Sequence, residues 1–257
     1  MCNVQYDMCN THLNILFFWL IYQAGGMNEL YGIGPQLAAS LTQRLIDLNI
    51  AEPNNPYTAD QYRTLLKDPK IFPELPVATQ TDLTYHPLKI IPRDIIDLVN
   101  SEFRKYVPTK TARFDIAGSY IRGRPTSRDI DLVLSDINIW PDFMKLINDN
   151  SKFIQILPPY SEGPGKVTTL IKVTETSIHV KMDVFLTDAK GYMFMLLYAI
   201  GSGPFNIRMR IIAKKQGLML NQHGLYKKDG SALEIIDERD VFARLGMIYR
   251  TPTERIA

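Results

Sequence analysis

The sequence predicts an α+β fold: a mostly helical first part, a mixed sheet with helices, and a closing part that combines helices with short segments. Three observations carry this. Leucines recur at helical spacing after residue 28, three apolar strand-like runs lie between 113 and 186, and two helical patterns follow, parted by a Gly-Ser-Gly-Pro break. Taken in order, Pro35 opens a helix, and Leu37, Leu41, Leu45 and Leu48 give it one apolar stripe. The strand runs are 114–117, 130–134 and 178–185, with a helix expected near 142–148 between the second and third. Residues 192–200 and 205–217 read as helices, and Gly201-Ser202-Gly203-Pro204 as the breaker and hinge between them. The composition shifts mark an apolar segment at 1–27, a helical part at 28–103, a sheet part at 104–188 and a last part at 189–257.

Composition excludes several classes. Of 257 residues 46% are hydrophobic, and Lys+Arg 29 against Asp+Glu 27 leave a formal charge of +2, so the chain is neither disordered nor collagen-like. A near-neutral total does not argue against nucleic acid, because basic residues can cluster on one face while acids gather in a metal site. Cys2 and Cys9 stand alone, which removes a disulfide framework and a Cys-based zinc site and favours an intracellular, reducing setting. The most apolar run, 13–22, is shorter than the roughly 20 residues a membrane span needs and has no preceding Lys or Arg, so no membrane is expected. It reads as a core helix or as one that docks on a protein partner. His12, His86, His179 and His223 lack metal-ligand spacing.

The chemistry concentrates in Gly118-Ser119-Tyr120-Ile121-Arg122-Gly123, then Ser127-Arg128-Asp129-Ile130-Asp131, then Met182-Asp183-Val184. Residues two apart in a strand project from one face, so Asp129 and Asp131 place two carboxylates together. Asp183 lies in another apolar strand; adjacency of the two strands would bring three carboxylates onto an oxygen-ligand site of Mg²⁺ type. A Gly-Ser turn opening a helix offers backbone N–H groups and a hydroxyl to phosphate, and Arg122 adds a planar cation. The set suits phosphoryl or nucleotidyl transfer with two metal ions. An isolated D-x-D is more often a half-exposed strand edge; its neighbours make the chemical reading the stronger one.

The strings GSYIRGRPTSRDIDLVL, HVKMDVF and YAIGSGPFNIRMR resemble the catalytic region of DNA polymerase family X, which includes polymerase beta. The resemblance runs from about residue 28 to the carboxyl end. It implies a nucleotidyltransferase-type mixed-sheet palm, a helical fingers subdomain carrying a helix-hairpin-helix, and an α+β thumb. It assigns Asp129, Asp131 and Asp183 to two Mg²⁺ ions, with Mn²⁺ as a substitute, and Gly118, Ser119, Arg122, Arg128, Tyr198, Gly201 and Asn206 to the incoming dNTP. Leu30-Tyr31-Gly32-Ile33-Gly34-Pro35 resembles the hairpin, whose Gly-x-Gly-Pro turn lets backbone amides approach a DNA phosphate. By position the carbonyls of Asn28, Leu30 and Ile33 would hold a monovalent cation. Gly32, Ile33, Gly34, Lys181, Arg210 and Lys214 are the residues this likeness sets against primer-template or gapped duplex DNA. Phe205, Met209 and Ile212 share one face of the helix that carries Arg210, while Asn206, Arg210 and Lys214 share another.

Three departures from the family pattern matter. The first 27 residues contain no Lys, so no Schiff-base lyase activity is expected. Ala199 stands where polymerase beta has an aromatic beside the sugar, which leaves more room for a 2′-hydroxyl. Ile90 replaces a triphosphate-binding arginine, and Arg128 replaces a glycine before the metal pair, so Arg128 would restore the lost charge. The resulting expectation is a monomeric, intracellular DNA-directed DNA polymerase, nuclear, cytoplasmic or viral, filling short gaps. Its rivals are a template-independent end-adding nucleotidyltransferase and a non-catalytic DNA-binding scaffold.

Overall fold

Pro35 presets the first turn of helix α1 (Pro35–Asp47), and its leucine stripe turns inward, with Leu41 and Leu45 buried. The computed structural model describes residues 25–86, 88, 90–107, 112–174, 176 and 178–255, and the chain divides into two compact units, 1–87 and 88–257. The apolar run at 13–22 lies outside the described residues. In the first unit α1 is preceded by a 3-10 turn, Gly25–Glu29, and followed by α2 (Ala59–Leu65) and α3 (Val77–Tyr85). Met27, Leu30, Ile33, Leu45, Tyr62, Leu66, Ile71 and Leu83 close its core. Thr58 starts α2 with a capping box to Gln61, which satisfies two otherwise orphaned donors.

The second unit runs β1 (Ile91–Pro92), α4 (Arg93–Tyr106), β2 (Phe114–Ile116), α5 (Gly118–Ile121), β3 (Thr126–Ser127), β4 (Ile130–Leu134) and α6 (Trp140–Asn150). It continues through β5 (Ile154–Ile156), β6 (Ser161–Gly163), β7 (Lys166–Val173), β8 (Ile178–Leu186), α7 (Tyr192–Ile200) and α8 (Gly203–Lys215). The hairpin β9 (Met219–Asn221) and β10 (Gly224–Tyr226) and the helix α9 (Glu238–Arg244) complete it. The three strands expected from the sequence are β2, β4 and β8. They lie in one mixed sheet of order β2-β4-β8-β7-β5, with β6 also on β7. Among the described residues only β4 and β8 pair in parallel; the other neighbours are antiparallel. Among the described residues no helix is long and apolar enough to cross a membrane.

Alternation along the strands decides what each face carries. Ile130, Leu132 and Leu134 of β4 and Val180, Met182 and Val184 of β8 pack beneath α4 and α6, against Ile96, Val99, Phe103, Phe143 and Ile147. Full burial of one such side chain contributes about 1.5–3 kcal/mol, so this face fixes the register. The opposite face carries Asp131 and Val133 of β4 and Asp183 and Phe185 of β8, with Val133 packed against Tyr192, Met195 and Ile200 of α7. The two units part at 87–88, so residues 88–103, expected with the helical part, lie in the same unit as the sheet. In α4, Phe103 sits edge-on to Phe143 at 5.3 Å and to Phe114 at 6.4 Å, so this helix packs into the sheet core.

The last part closes on its own cluster. Phe194, Leu197, Met209, Ala213, Leu225, Val241, Phe242 and Leu245 are buried together, and Phe205 and Ile212 pack against them. Arg255 is fully buried among rings of Phe205, Phe242 and Tyr249 and makes a two-pronged ion pair with Glu238 at 2.8 and 2.7 Å.

Candidate active site

The parallel pairing of β4 with β8 sets Asp131 directly opposite Asp183, and the antiparallel pairing of β8 with β7 sets Asp183 opposite Thr168. These three side chains form a row across the face that the helical core leaves uncovered. Asp129 stands just before β4, at its amino-terminal end. Lys181, on the same face of β8 as Asp183, reaches both acids: its Nζ donates to Asp183 Oδ2 at 3.0 Å and lies 3.6 Å from Asp129 Oδ2. Lys166 Nζ lies 3.1 Å from Asp183 Oδ2, and Thr168 Oγ1 donates to Asp183 Oδ1 at 2.8 Å.

The electrostatics follow from this crowding. Burial first, then the negative charges of Asp129 and Asp183, push the Asp131 carboxyl up to about 7, against the pull of Lys181 and Lys166. For Asp183 burial acts in the same direction, but Lys181, the Thr168 hydroxyl and Lys166 outweigh it and hold the carboxyl below its ordinary value. Among the described residues no three His, Cys, Asp or Glu side chains converge in a geometry that holds a metal ion. Asp129 and Asp183 converge on a lysine ammonium instead. The donor chemistry fits Mg²⁺ or Mn²⁺, being all carboxylate oxygen, and burial of Asp131 beside the negative charges of Asp129 and Asp183 is a setting that a divalent cation would relieve.

The Gly-Ser turn lies beside this row. Gly118 has φ of +62° and opens α5, and a Cβ placed on it would lie 1.9 Å from Asp131 Oδ2. Glycine is therefore required twice, by the backbone and by the carboxylate. The Ser119 hydroxyl is 2.6 Å from that of buried Ser127. Arg122 Nη1 donates to the carbonyls of Ile200 at 2.5 Å and Gly201 at 3.0 Å, tying α5 to the end of α7, and burial lowers its pKa. Arg128 is exposed, with no ion-pair partner among the described residues.

A second group of predicted residues also meets. Asn206 Nδ2 donates to the Tyr198 carbonyl at 2.8 Å, and its amide fills the space above Gly201, where a Cβ would lie 2.3 Å from Asn206 Oδ1. The Arg210 guanidinium stands 5.4 Å from the centre of the Tyr198 ring. Lys214 is exposed one turn further along α8, while Met209 and Ala213 are buried. Lys181, expected against DNA, has its ammonium on the carboxylates in this structure. The hairpin residues lie in the first unit. Gly32 takes φ of +84° and the Tyr31 carbonyl accepts a bond from Thr79, whereas Gly34 has an ordinary φ and a Cβ placed on it would meet nothing within 4 Å. Gly34 is the N-cap of α1, a position that favours glycine over alanine, and its outer side is open to approach. The Leu30 carbonyl accepts from Ile33 N–H at 3.3 Å.

Sequence reasoning does not single out Lys166 or Thr168, and it names Ser127 within the acidic motif without giving it a role. The run Lys166–Val173 is rich in β-branched residues and carries a strand signal that could have found the first two.

Comparison with known proteins follows the same lines. Residues 195–256 match the DNA polymerase beta thumb family. DNA polymerase lambda of Rattus norvegicus is 27% identical over 159 residues, 54% of this chain and 28% of that protein. The repair DNA polymerase X of African swine fever virus is 32% identical over 77 residues, 30% of this chain and 44% of that protein. The matched segments thus span less than half the length of these curated relatives. Two structures of Leishmania infantum polymerase beta share the fold at 23% identity. A ternary P/T complex has a TM-score of 0.74, over 93% of this chain and 100% of that one. A ternary gap complex has a TM-score of 0.72, over 90% and 88%. The chain is thus similar to these polymerases: its last part matches the polymerase beta thumb, segments of it align with polymerase lambda and the viral repair polymerase X, and its fold is that of polymerase beta.

Proposed function

We propose that this chain is a DNA-directed DNA polymerase that fills short gaps in duplex DNA during repair, adding dNMP from a dNTP to a primer 3′-hydroxyl. The observation that carries the reading is the register of β4 on β8, which sets Asp131 beside Asp183 next to the Gly118–Arg122 turn. Asp129 and Asp131 would hold two divalent ions and Asp183 one of them; bound there, such ions acidify a hydroxyl nucleophile and neutralise a leaving pyrophosphate. Asp183 orients the primer hydroxyl, and Ser119, Arg122 and Arg128 bind the triphosphate. Tyr198, Gly201 and Asn206 line the sugar and base of the nucleotide, while Arg210, Lys214 and Lys181 face DNA. The Gly32–Gly34 turn docks a DNA phosphate, with a monovalent cation on nearby carbonyls. The likeness in fold to polymerase beta in its ternary P/T and gap complexes supports gapped duplex as the substrate. The enzyme acts as an intracellular monomer, and sugar-phosphate lyase chemistry is not part of the reading.

The test is single-nucleotide extension on a one-nucleotide gapped duplex with Mg²⁺, each dNTP alone, and an Asp183→Ala control. Insertion of the template-complementary nucleotide by the wild type, lost by several orders of magnitude in the control, is expected. Template-indifferent extension would reassign the chain as an end-adding transferase. Tight DNA binding without extension would leave a scaffold.

A further inference from the structure

We infer that Thr168 is a positioning residue for Asp183, fixing which carboxylate oxygen is available to the reaction. The inference rests on the proposed role of Asp183. Thr168 and Asp183 are register partners on β7 and β8, and both are buried. The Thr168 hydroxyl donates to Oδ1 at 2.8 Å. The other oxygen, Oδ2, is the one both ammonium groups approach, Lys181 at 3.0 Å and Lys166 at 3.1 Å. The two oxygens are therefore inequivalent: one is held by a neutral donor inside the sheet, and one is presented to cations at its surface.

The strand supplies the rigidity this needs. A β-branched side chain in a strand has few χ1 options, and Thr168 is itself buried, so its hydroxyl has little room to turn aside. Thr169 differs in use: its hydroxyl donates to the Leu157 carbonyl at 2.5 Å and never meets the acids. Of two adjacent threonines, then, one joins strands and the other sets the carboxylate. Groups that orient a ligating or reacting side chain are typically worth about 10–100-fold in affinity or activity.

Thr168→Val keeps the branched shape and removes the hydroxyl; Thr168→Ser keeps the hydroxyl. The expected result on gapped duplex is about a 10–100-fold loss of kcat for the valine variant with KM for dNTP nearly unchanged, and recovery to within a few-fold in the serine variant. Titration of Mn²⁺ alone, followed by electron paramagnetic resonance on the protein without nucleotide, should show weaker binding by about 10-fold in the valine variant only. Should Thr168→Val fail to fold, Thr168→Ala takes its place. Wild-type turnover and Mn²⁺ affinity in the valine variant, beside an inactive Asp183→Asn, would overturn the inference alone. A loss in KM only, or no recovery with serine, would make Thr168 merely structural. An active Asp183→Asn would overturn the reading of Asp183 and the inference with it.

Discussion

Gly118→Ala should separate the catalytic arrangement from the fold that carries it. A methyl group at 118 would lie 1.9 Å from Asp131 Oδ2, so the carboxylate must retreat about 1.5 Å to reach ordinary van der Waals contact at 3.4 Å. Rotation of the side chain alone does not clear it, because Asp131 Cβ would itself lie 3.2 Å away and is fixed by strand pairing. The residue must also keep φ of +62°, which costs an L residue about 1–2 kcal/mol. For a unit of this size that corresponds to a fall in Tm of roughly 2–8 °C. A displacement of about 1 Å at a reacting group is worth about 100-fold in rate. Single-turnover insertion into a one-nucleotide gap, measured well below the Tm of the variant, should therefore slow by about 100-fold. Turnover within about threefold of wild type, with unchanged melting, would refute the close approach of Gly118 to Asp131 and the reasoning built on it.

Gly34→Ala should leave melting nearly unchanged, since the poorer helix cap and the stiffer unfolded chain offset within about 1 kcal/mol. Gapped-DNA affinity by fluorescence anisotropy should nevertheless fall, and unaltered affinity would remove the hairpin from the DNA site. Glu238→Ala strands the fully buried Arg255 guanidinium and should cost about 3 kcal/mol, seen as a fall in Tm of roughly 6–12 °C. Arg255→Met should cost less, because the Glu238 left behind is 24% exposed and can rehydrate; equal losses would contradict this ordering. Arg128→Ala should raise the KM for dNTP with little change in melting, and an unchanged KM would leave Arg128 to solvent. Ala199→Tyr should sharpen selection against ribonucleotides, measured as the ratio of kcat/KM for dNTP and rNTP; an unchanged ratio would place discrimination elsewhere.

What could be read in advance was whatever repeats or alternates along the chain. The apolar alternation of 130–134 and 178–185 gave both strands and the face on which Asp131 and Asp183 sit. Their adjacency was only a condition, since pairing between strands so distant in sequence depends on the sheet as a whole. Strand β7 escaped notice because Thr168 and Thr169 interrupt a simple apolar pattern, although both are buried. That α4 packs in the sheet core is a tertiary fact, because its amphipathic pattern shows that one face is buried and not against what. The family likeness sets Lys181 against DNA, and only the structure brings its ammonium within reach of Asp129 and Asp183. A lone Arg255 near the carboxyl end gave no hint of burial, because its partner Glu238 lies on another element.

The parallel pairing of β4 with β8 also bears on how the molecule is assembled in time. Strands β7 and β8 are joined by a short connection and can zip together locally, which brings Thr168 to Asp183 early. Asp131 reaches Asp183 only after the chain through α6, β5, β6 and β7 has been gathered into a crossover. Contacts of such long sequence separation bear the loop-closure entropy before they are rewarded, and parallel pairings form slowly. During refolding, helix content should accordingly recover ahead of the acidic row. The return of activity would then be a clock for the last step of folding rather than a measure of how much secondary structure has formed.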